Sequence, residues 1–149
     1  MRINIIYTAG YGNRTPEQFK KILEDAGIDY VIDVRRENTR ARISSYTPYN
    51  MGKTLSGISY FHEHYLGNYF DDLDSYKDFI LNSDSSELAT IAINSITDHI
   101  ENGCTVCFIC CELHAYVDGK VNCHRVHVAE AVAKKLQKIT GEEWKIVHL

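Results

Sequence analysis

No run in this 149-residue chain approaches the ~20 consecutive apolar residues that a helix needs to cross a bilayer. Internal repeats, low-complexity segments and a linker that would divide the chain are also absent, so residues 1–149 read as a single domain. A net positive charge is missing: the formal charge is −4, which argues against a protein that coats nucleic acid. The start, Met1-Arg2-Ile3-Asn4-Ile5-Ile6-Tyr7, is too short for a signal h-region and has no small-residue cleavage site, so a cytoplasmic protein is expected. Cysteine is present, but in the wrong pattern for a disulfide framework. The count of five is odd, and Cys104, Cys107, Cys110 and Cys111 crowd into one short stretch, so reduced thiols are the default.

The rest of the composition, 44% hydrophobic and 24% charged, is that of an ordinary globular protein. Its charge is uneven. Arg35, Arg36, Arg40, Arg42 and Lys53 fall between residues 34 and 53 against a single acid, Glu37, while the acids lie mostly after Glu63. A basic segment in an acidic chain suggests a local anion site; a solvated arginine-rich loop gives the same pattern.

Ile3 to Thr8 reads as a buried strand and Ala9 to Arg14 as a glycine-rich turn. Thr15-Pro16-Glu17-Gln18 then announces a helix, with Thr15 as N-cap, Pro16 at the first helical position and Gln18 closing a capping box. Phe19, Ile22, Leu23 and Ala26 form its apolar face, and Gly27 ends it. Ile28 to Val34 is the second strand, making a βαβ unit with parallel strands. Gly10-x-Gly12 lacks the third glycine and the acid of a dinucleotide fingerprint; its amides could approach a phosphate, or simply form a tight turn.

Residues 37–57 read as an irregular loop, of a length that is usually functional or mobile. Nine of the sixteen aromatic residues lie between Tyr46 and Phe79. Phe61, Phe70 and Phe79 are expected in a small core, whereas Tyr46 and Tyr49, nearest the arginines, are candidates for stacking on a base. His62-Glu63-His64 offers two imidazoles but no third ligand nearby, which favours a surface pair over a metal site. Helices are expected over Tyr69–Leu81, with Asp74 or Ser75 near its cap, and over Ser86–Glu101, ended by Asn102-Gly103. Trp144 to Leu149 is the last strand.

The chemistry concentrates between Cys104 and Arg125. Cys104 to Cys111 is a short apolar run that reads as a buried strand. In a strand, Cys104 and Cys110 face one way and Cys107 and Cys111 the other; Cys104 and Cys107 are expected to be small buried hydrophobes. A polar loop with a turn at Asp118-Gly119 leads to Cys123-His124-Arg125, which opens a helix whose apolar positions are Val126, Ala129, Val132, Ala133 and Leu136. Cys123 falls in or near the first turn, after Asn122 as cap, where the helix dipole and Arg125 would lower a thiol pKa. Three uses compete. One is nucleophilic or redox chemistry by Cys110 or Cys123 with His124. Another is zinc on Cys110 or Cys111, Cys123 and His124 or His127. The third is plain packing, with His124 and Arg125 bonded to Glu112 or Asp33. The spacing from Cys110 to Arg125 is too long for a phosphatase- or rhodanese-type cradle.

Several short motifs, in order along the chain, resemble the family catalogued as domain of unknown function 488. They are Tyr7-Thr8-Ala9-Gly10-Tyr11 with Thr15-Pro16-Glu17-Gln18-Phe19, Ile32-Asp33-Val34-Arg35, Pro48-Tyr49-Asn50, Leu55 with Gly57-Ile58-x-Tyr60 and Leu66-Gly67, Cys110-x-Glu112, and Cys123-His124-Arg125. The chain departs from the family's pattern after Arg35, where Glu37-Asn38-Thr39-Arg40 replaces the usual Pro and Ser. The resemblance implies an α/β domain with a polar site, points to Cys110 rather than Cys111, and implies no particular reaction.

The expected fold is a three-layer α/β domain with a mainly parallel sheet of about four strands flanked by helices. The expected pocket lies at the carboxyl ends of the strands. Cys110, Glu112, Cys123 and His124 are the candidate catalytic residues. Thr8, Gly10, Tyr11, Asp33, Arg35, Tyr49 and Arg125 are the candidate anion-binding set, with Arg35 and Arg125 as bidentate clamps. The expected ligand is a nucleotide or another small anion handled by an enzyme. A non-catalytic nucleotide or nucleic-acid module and a zinc-stabilised interaction domain are the alternatives; no cofactor is required, and no membrane partner is expected.

Overall fold

The strand, turn and capping box at the start of the chain are present in the computed structural model, which describes residues 4–81 and 86–149. Strand β1 is Ile5–Gly10; Ile3, the first residue of the predicted strand, lies outside the described residues. Helix α1, Pro16–Asp25, begins with both halves of the box: Gln18 N–H donates to Thr15 Oγ1 at 3.2 Å and Thr15 N–H to Gln18 Oε1 at 2.9 Å. These bonds satisfy two amides that the first helical turn leaves without partners. Strand β2 is Tyr30–Asp33.

The predicted irregular loop contains a helix. After a single 3₁₀ turn at Ser44–Tyr46, α2 spans Pro48–Thr54, with Thr47 as N-cap accepting from Asn50 N–H. Thr47-Pro48 repeats the signature of Thr15-Pro16, but only seven residues follow, too few for a helical period to stand out. Strand β3, Ser59–His62, comes next. Helix α3 is Leu73–Leu81, shorter than predicted. Asp72, not Asp74 or Ser75, holds its first turn, its carboxylate accepting from Ser75 N–H at 2.7 Å. Helix α4 is Glu87–Glu101, capped by Ser86 and closed at Asn102. The cysteine-rich strand β4 is Val106–Cys110. The polar loop after it folds into a hairpin, β5 Tyr116–Val117 and β6 Lys120–Val121. Its two-residue turn has positive φ at both Asp118 and Gly119, as a hairpin of this length favours. Helix α5, Arg125–Thr140, and strand β7, Lys145–His148, complete the fold.

The main sheet runs β3–β2–β4–β1–β7, and every neighbouring pair is parallel. It has five strands rather than about four. The added edge strand is β3, whose Ser59 and Phe61 point outward, so it carries no apolar run. β1 and β2 are parallel, as the βαβ reading requires, but β4 lies between them.

Alternation along the strands feeds two cores. Ala9, Val31, Cys107 and Ile109 pack with Phe19 and Leu23 of α1 and Met51 of α2. On the other face, Ile6, Ile32, Phe108 and Cys110 pack with Tyr76, Ile96 and Val132 of α3, α4 and α5. The result is the three-layer α/β arrangement. Because all five strands point the same way, Gly10, Asp33 and Cys110 end at one edge, with Gly10 beside Cys110 and Asp33 beside Ile109.

Candidate active site

Cys110 is the last residue of β4, and Cys123 and His124 immediately precede α5. Between them the β5–β6 hairpin loops out, bringing the two cysteines together. Cys110 Sγ, Cys123 Sγ and a His124 ring nitrogen all lie within 4.8 Å of one another, and all three residues are buried. His124 Nδ1 is 3.9 Å from Cys110 Sγ and 4.0 Å from Cys123 Sγ. Its other nitrogen, Nε2, lies 2.6 Å from the carbonyl oxygen of Val34. A carbonyl only accepts, so Nε2 carries a proton and Nδ1 is the atom presented to sulfur. The helix starts two residues later than the sequence suggested. His124 is the N-cap, and the Asn122 amide instead donates to the His114 carbonyl at 3.0 Å.

The two thiols are electrostatically unequal. Cys123 is pulled well below the usual thiol range, first by a hydrogen bond from Cys110 and then, against its burial, by His124 and Arg125. Cys110 is pushed up, by that same shared hydrogen bond, by burial, and by the charges of Cys123 and Glu112. Its Sγ lies 3.2 Å from Glu112 Oε2, which gives its proton a second acceptor. Burial opposes charge on His124, but the bond to the Cys123 sulfur outweighs it and raises the imidazole pKa. Charge on the Cys123 sulfur and charge on the His124 imidazole thus favour each other, while Cys110 is held toward its protonated form.

Arg125 is not an anion clamp. It is fully buried, and each of its three nitrogens is bonded within the protein: Nε to Thr8 Oγ1 at 3.2 Å, Nη1 to the Glu112 carbonyl at 2.6 Å and Nη2 to the Leu113 carbonyl at 3.4 Å. It holds the segment after β4 against β1 and adds positive charge near Cys123. The link to Glu112 runs through its backbone, not its carboxylate. Thr8 is likewise a strut: besides accepting from Arg125, its Oγ1 is 2.6 Å from His148 Nδ1. Gly10 does not cradle phosphate. A Cβ built there would lie 1.7 Å from the Glu112 carbonyl oxygen. The neighbouring amides of Tyr11 and Gly12 donate to the carbonyls of Cys110 and Cys111 at 3.2 and 2.8 Å. The glycine turn exists so that these two backbones can touch.

Arg35 is also corrected as a clamp. Its Nε and Nη2 already fork onto Asp33, the closest contact being Nη2–Oδ2 at 2.6 Å, and Nη1 donates to Tyr11 Oη at 2.9 Å. Tyr60 Oη donates to the same Asp33 carboxylate at 2.6 Å. Burial alone would lower the Arg35 pKa; the bonds and charge of Asp33 overcome that and raise it. Asp33 is therefore a buried structural anion, and Arg35 presents only the outer part of its guanidinium.

A cavity of about 300 Å³ opens on this edge. Cys110, Cys111, Glu112 and His124 line it together with Tyr11 and Arg35, and Arg36, Arg40, Asn68 and Phe70 are among its remaining lining residues. Of the candidate set, Cys110, Glu112, His124, Tyr11 and Arg35 thus share one cavity, with Cys123 directly behind. Arg36 and Arg40 carry no individual signal in the sequence beyond the basic segment to which they belong, and Phe70, expected in a core, lines the cavity instead.

The other aromatic candidates fall elsewhere. Tyr49, on α2, is 89% exposed and absent from the cavity, which removes it as a stacking wall. Tyr46 is buried, stacked on Tyr11 with centroids 4.3 Å apart, and donates to the Arg14 carbonyl at 2.6 Å. Phe61 and Phe70, expected in a core, are exposed. His62 and His64 do not face a common ligand point: His62 Nε2 is bonded to the Arg35 carbonyl at 2.8 Å. For metal ligation, Cys110, Cys123 and His124 form the one cluster of three found among the described residues. Cys111 is exposed, and His127 Nδ1 pairs with Glu130 Oε1 at 3.2 Å.

No family model, curated protein or solved structure matches this chain. Among the described residues, no helix is long and apolar enough to cross a membrane. Fold and site together define a three-layer α/β protein with a buried Cys–Cys–His cluster at the carboxyl edge of its sheet.

Proposed function

We propose that this protein is a thiol-dependent enzyme acting on a small anionic substrate of the nucleotide class, with membership of the domain of unknown function 488 family as part of that reading. The observation that carries it is the convergence of Cys110, Cys123 and His124 within 4.8 Å at the wall of a cavity. Cys110, which reaches the cavity, is the attacking sulfur. Its proton leaves to the Glu112 carboxylate, 3.2 Å away, as the sulfur attacks, and His124, oriented by Val34, stabilises the charge. Arg36 and Arg40 attract the anion, and Phe70 offers the exposed ring against which a base would stack. A reducing compartment such as the cytoplasm suits five free thiols.

The test is a nucleotide and small-anion panel scored by thermal shift, followed by turnover of the ligands that stabilise the protein. Cys110→Ser should retain ligand binding and lose turnover by at least about a hundredfold. Equal turnover in that variant would end the thiol reading. A second reading has its own support, since two thiols and an imidazole facing one point with an open side are also a ligand set for zinc. Stoichiometric zinc in freshly purified protein would replace the free nucleophile by a metal centre.

A further inference from the structure

We propose that Cys110 and Cys123 form a peroxide-oxidisable pair that closes into a disulfide and switches the site off; this rests on the free-thiol reading of the site above. Of the five cysteines, these two alone have sulfurs that lie together with an imidazole nitrogen within 4.8 Å among the described residues. Their positions are asymmetric in the way such a pair needs. Cys110 lines the cavity and can be reached by a molecule as small as hydrogen peroxide, whereas Cys123 is 1% exposed and does not line it. Cys107 is sealed in the opposite core, and Cys111, exposed and also lining the cavity, is not part of the clustered group. The two sulfurs already lie within 4.8 Å of each other, against about 2 Å in a disulfide, so the bond requires only a short closing movement of a strand end and the loop before α5.

The chemistry closes without any further reactant. Cys110 passes its proton to the Glu112 carboxylate as its sulfur attacks one peroxide oxygen. The S–O bond forms, the O–O bond breaks, sulfur is oxidised by two electrons, and the departing hydroxide takes a proton to become water. The Cys123 thiolate then attacks the Cys110 sulfur. The S–S bond forms, the S–O bond breaks, and the second hydroxide leaves as water after protonation by Glu112 or His124. Two thiols and one peroxide become one disulfide and two waters. The nucleophile is thereby withdrawn, and a small dithiol reductant restores it.

The experiment treats the intact protein with hydrogen peroxide, denatures it, alkylates the remaining thiols and maps the peptides by mass. Alkylatable cysteines should fall from five to three, with Cys110 and Cys123 recovered as one cross-linked peptide that dithiothreitol reverses. Cys123→Ser should instead trap a sulfenic acid on Cys110, captured by dimedone, and Cys111→Ser should leave the cross-link in place. Oxidation confined to Cys111, or over-oxidation of Cys110 with Cys123 still free, would overturn the proposal, as would zinc held by the pair and released on oxidation. Because the cross-link is read by mass and needs no substrate, it stands or falls separately from the nucleotide panel.

Discussion

His124 and Val34, 90 residues apart, are joined by a hydrogen bond of 2.6 Å from the imidazole Nε2–H to the backbone carbonyl. That bond decides which ring nitrogen faces the sulfurs. It ties the start of α5 to the end of β2 and leaves Nδ1 for Cys110 and Cys123. Edge-on packing of the ring against Tyr76, with centroids 5.1 Å apart, blocks rotation away from them.

Replacing His124 by Ala therefore removes two things together. The Val34 carbonyl loses its donor inside the protein, which should cost about 1–3 kcal/mol in a urea titration. The thiolate loses its counter-ion, so ultraviolet thiolate absorbance at neutral pH should fall. A variant that unfolds less easily than the parent, or keeps its thiolate signal, would contradict this account.

The Cys123–His124 pair should give stability a characteristic pH dependence. Cys123 is depressed in the folded state, so its contribution is present above the unfolded thiol value of about 8.5 and is lost as pH falls through the folded value. His124 is raised, so its contribution is present below the unfolded value of about 6.5 and is lost as pH rises through the folded value. From the unfolded imidazole value upward, folding moves a proton from thiol to imidazole with no net uptake for as long as the folded imidazole keeps its proton. The difference in unfolding free energy between the parent and Cys123→Ser should be flat over that window, which starts at about pH 6.5, and shrink as pH falls below it. A difference that climbs steadily across that window would show that the pair is not ionised.

Asp33→Asn leaves Arg35 buried with no anion. Arg35 is 3% exposed and Asp33 0%, so breaking the pair should destabilise the protein by about 3–5 kcal/mol. Tyr60→Phe removes one bond to the same carboxylate and should cost only about 1 kcal/mol. Denaturant midpoints of the two variants rank them; equal effects would mean that the ion pair is not the main support of this edge.

Gly10→Ala places a methyl group against the Glu112 carbonyl. The obstacle is backbone, not a flexible side-chain end, so the segment from Cys110 to Leu113 must move. A loss of about 1–3 kcal/mol is expected, together with slower alkylation of Cys110. Tyr49→Ala serves as the contrast: at 89% exposure it should change stability by less than about 0.5 kcal/mol and leave ligand affinity unchanged.

How far the fold could be read ahead of the structure depended on how local each signal is. The capping box at Thr15 and Gln18, the apolar run at Cys104–Cys111 and the Asp118-Gly119 turn each act over a few residues, and all are present. Strand β3 escaped notice because an edge strand buries only one face and is four residues long. Helix α2 escaped because it is a two-turn piece inside a segment dominated by polar and turn residues. The grouping of Cys110, Cys123 and His124 followed from placing one strand end beside one helix start, a topological inference rather than a compositional one.

Residue types and spacing alone determined the layered α/β class, the edge at which the chemistry gathers and the set of thiols available there. They did not determine which polar side chains remain available to a ligand. Arg125 meets Thr8 across 117 positions of chain, Arg35 is held by Asp33 and Tyr11, and Tyr49 lies on an outward helix face. A buried charge must find its compensation wherever the folded chain brings it. Tertiary structure therefore decided that Arg35 and Arg125 are braces, and placed Arg36 and Arg40 beside Arg35 in the cavity lining.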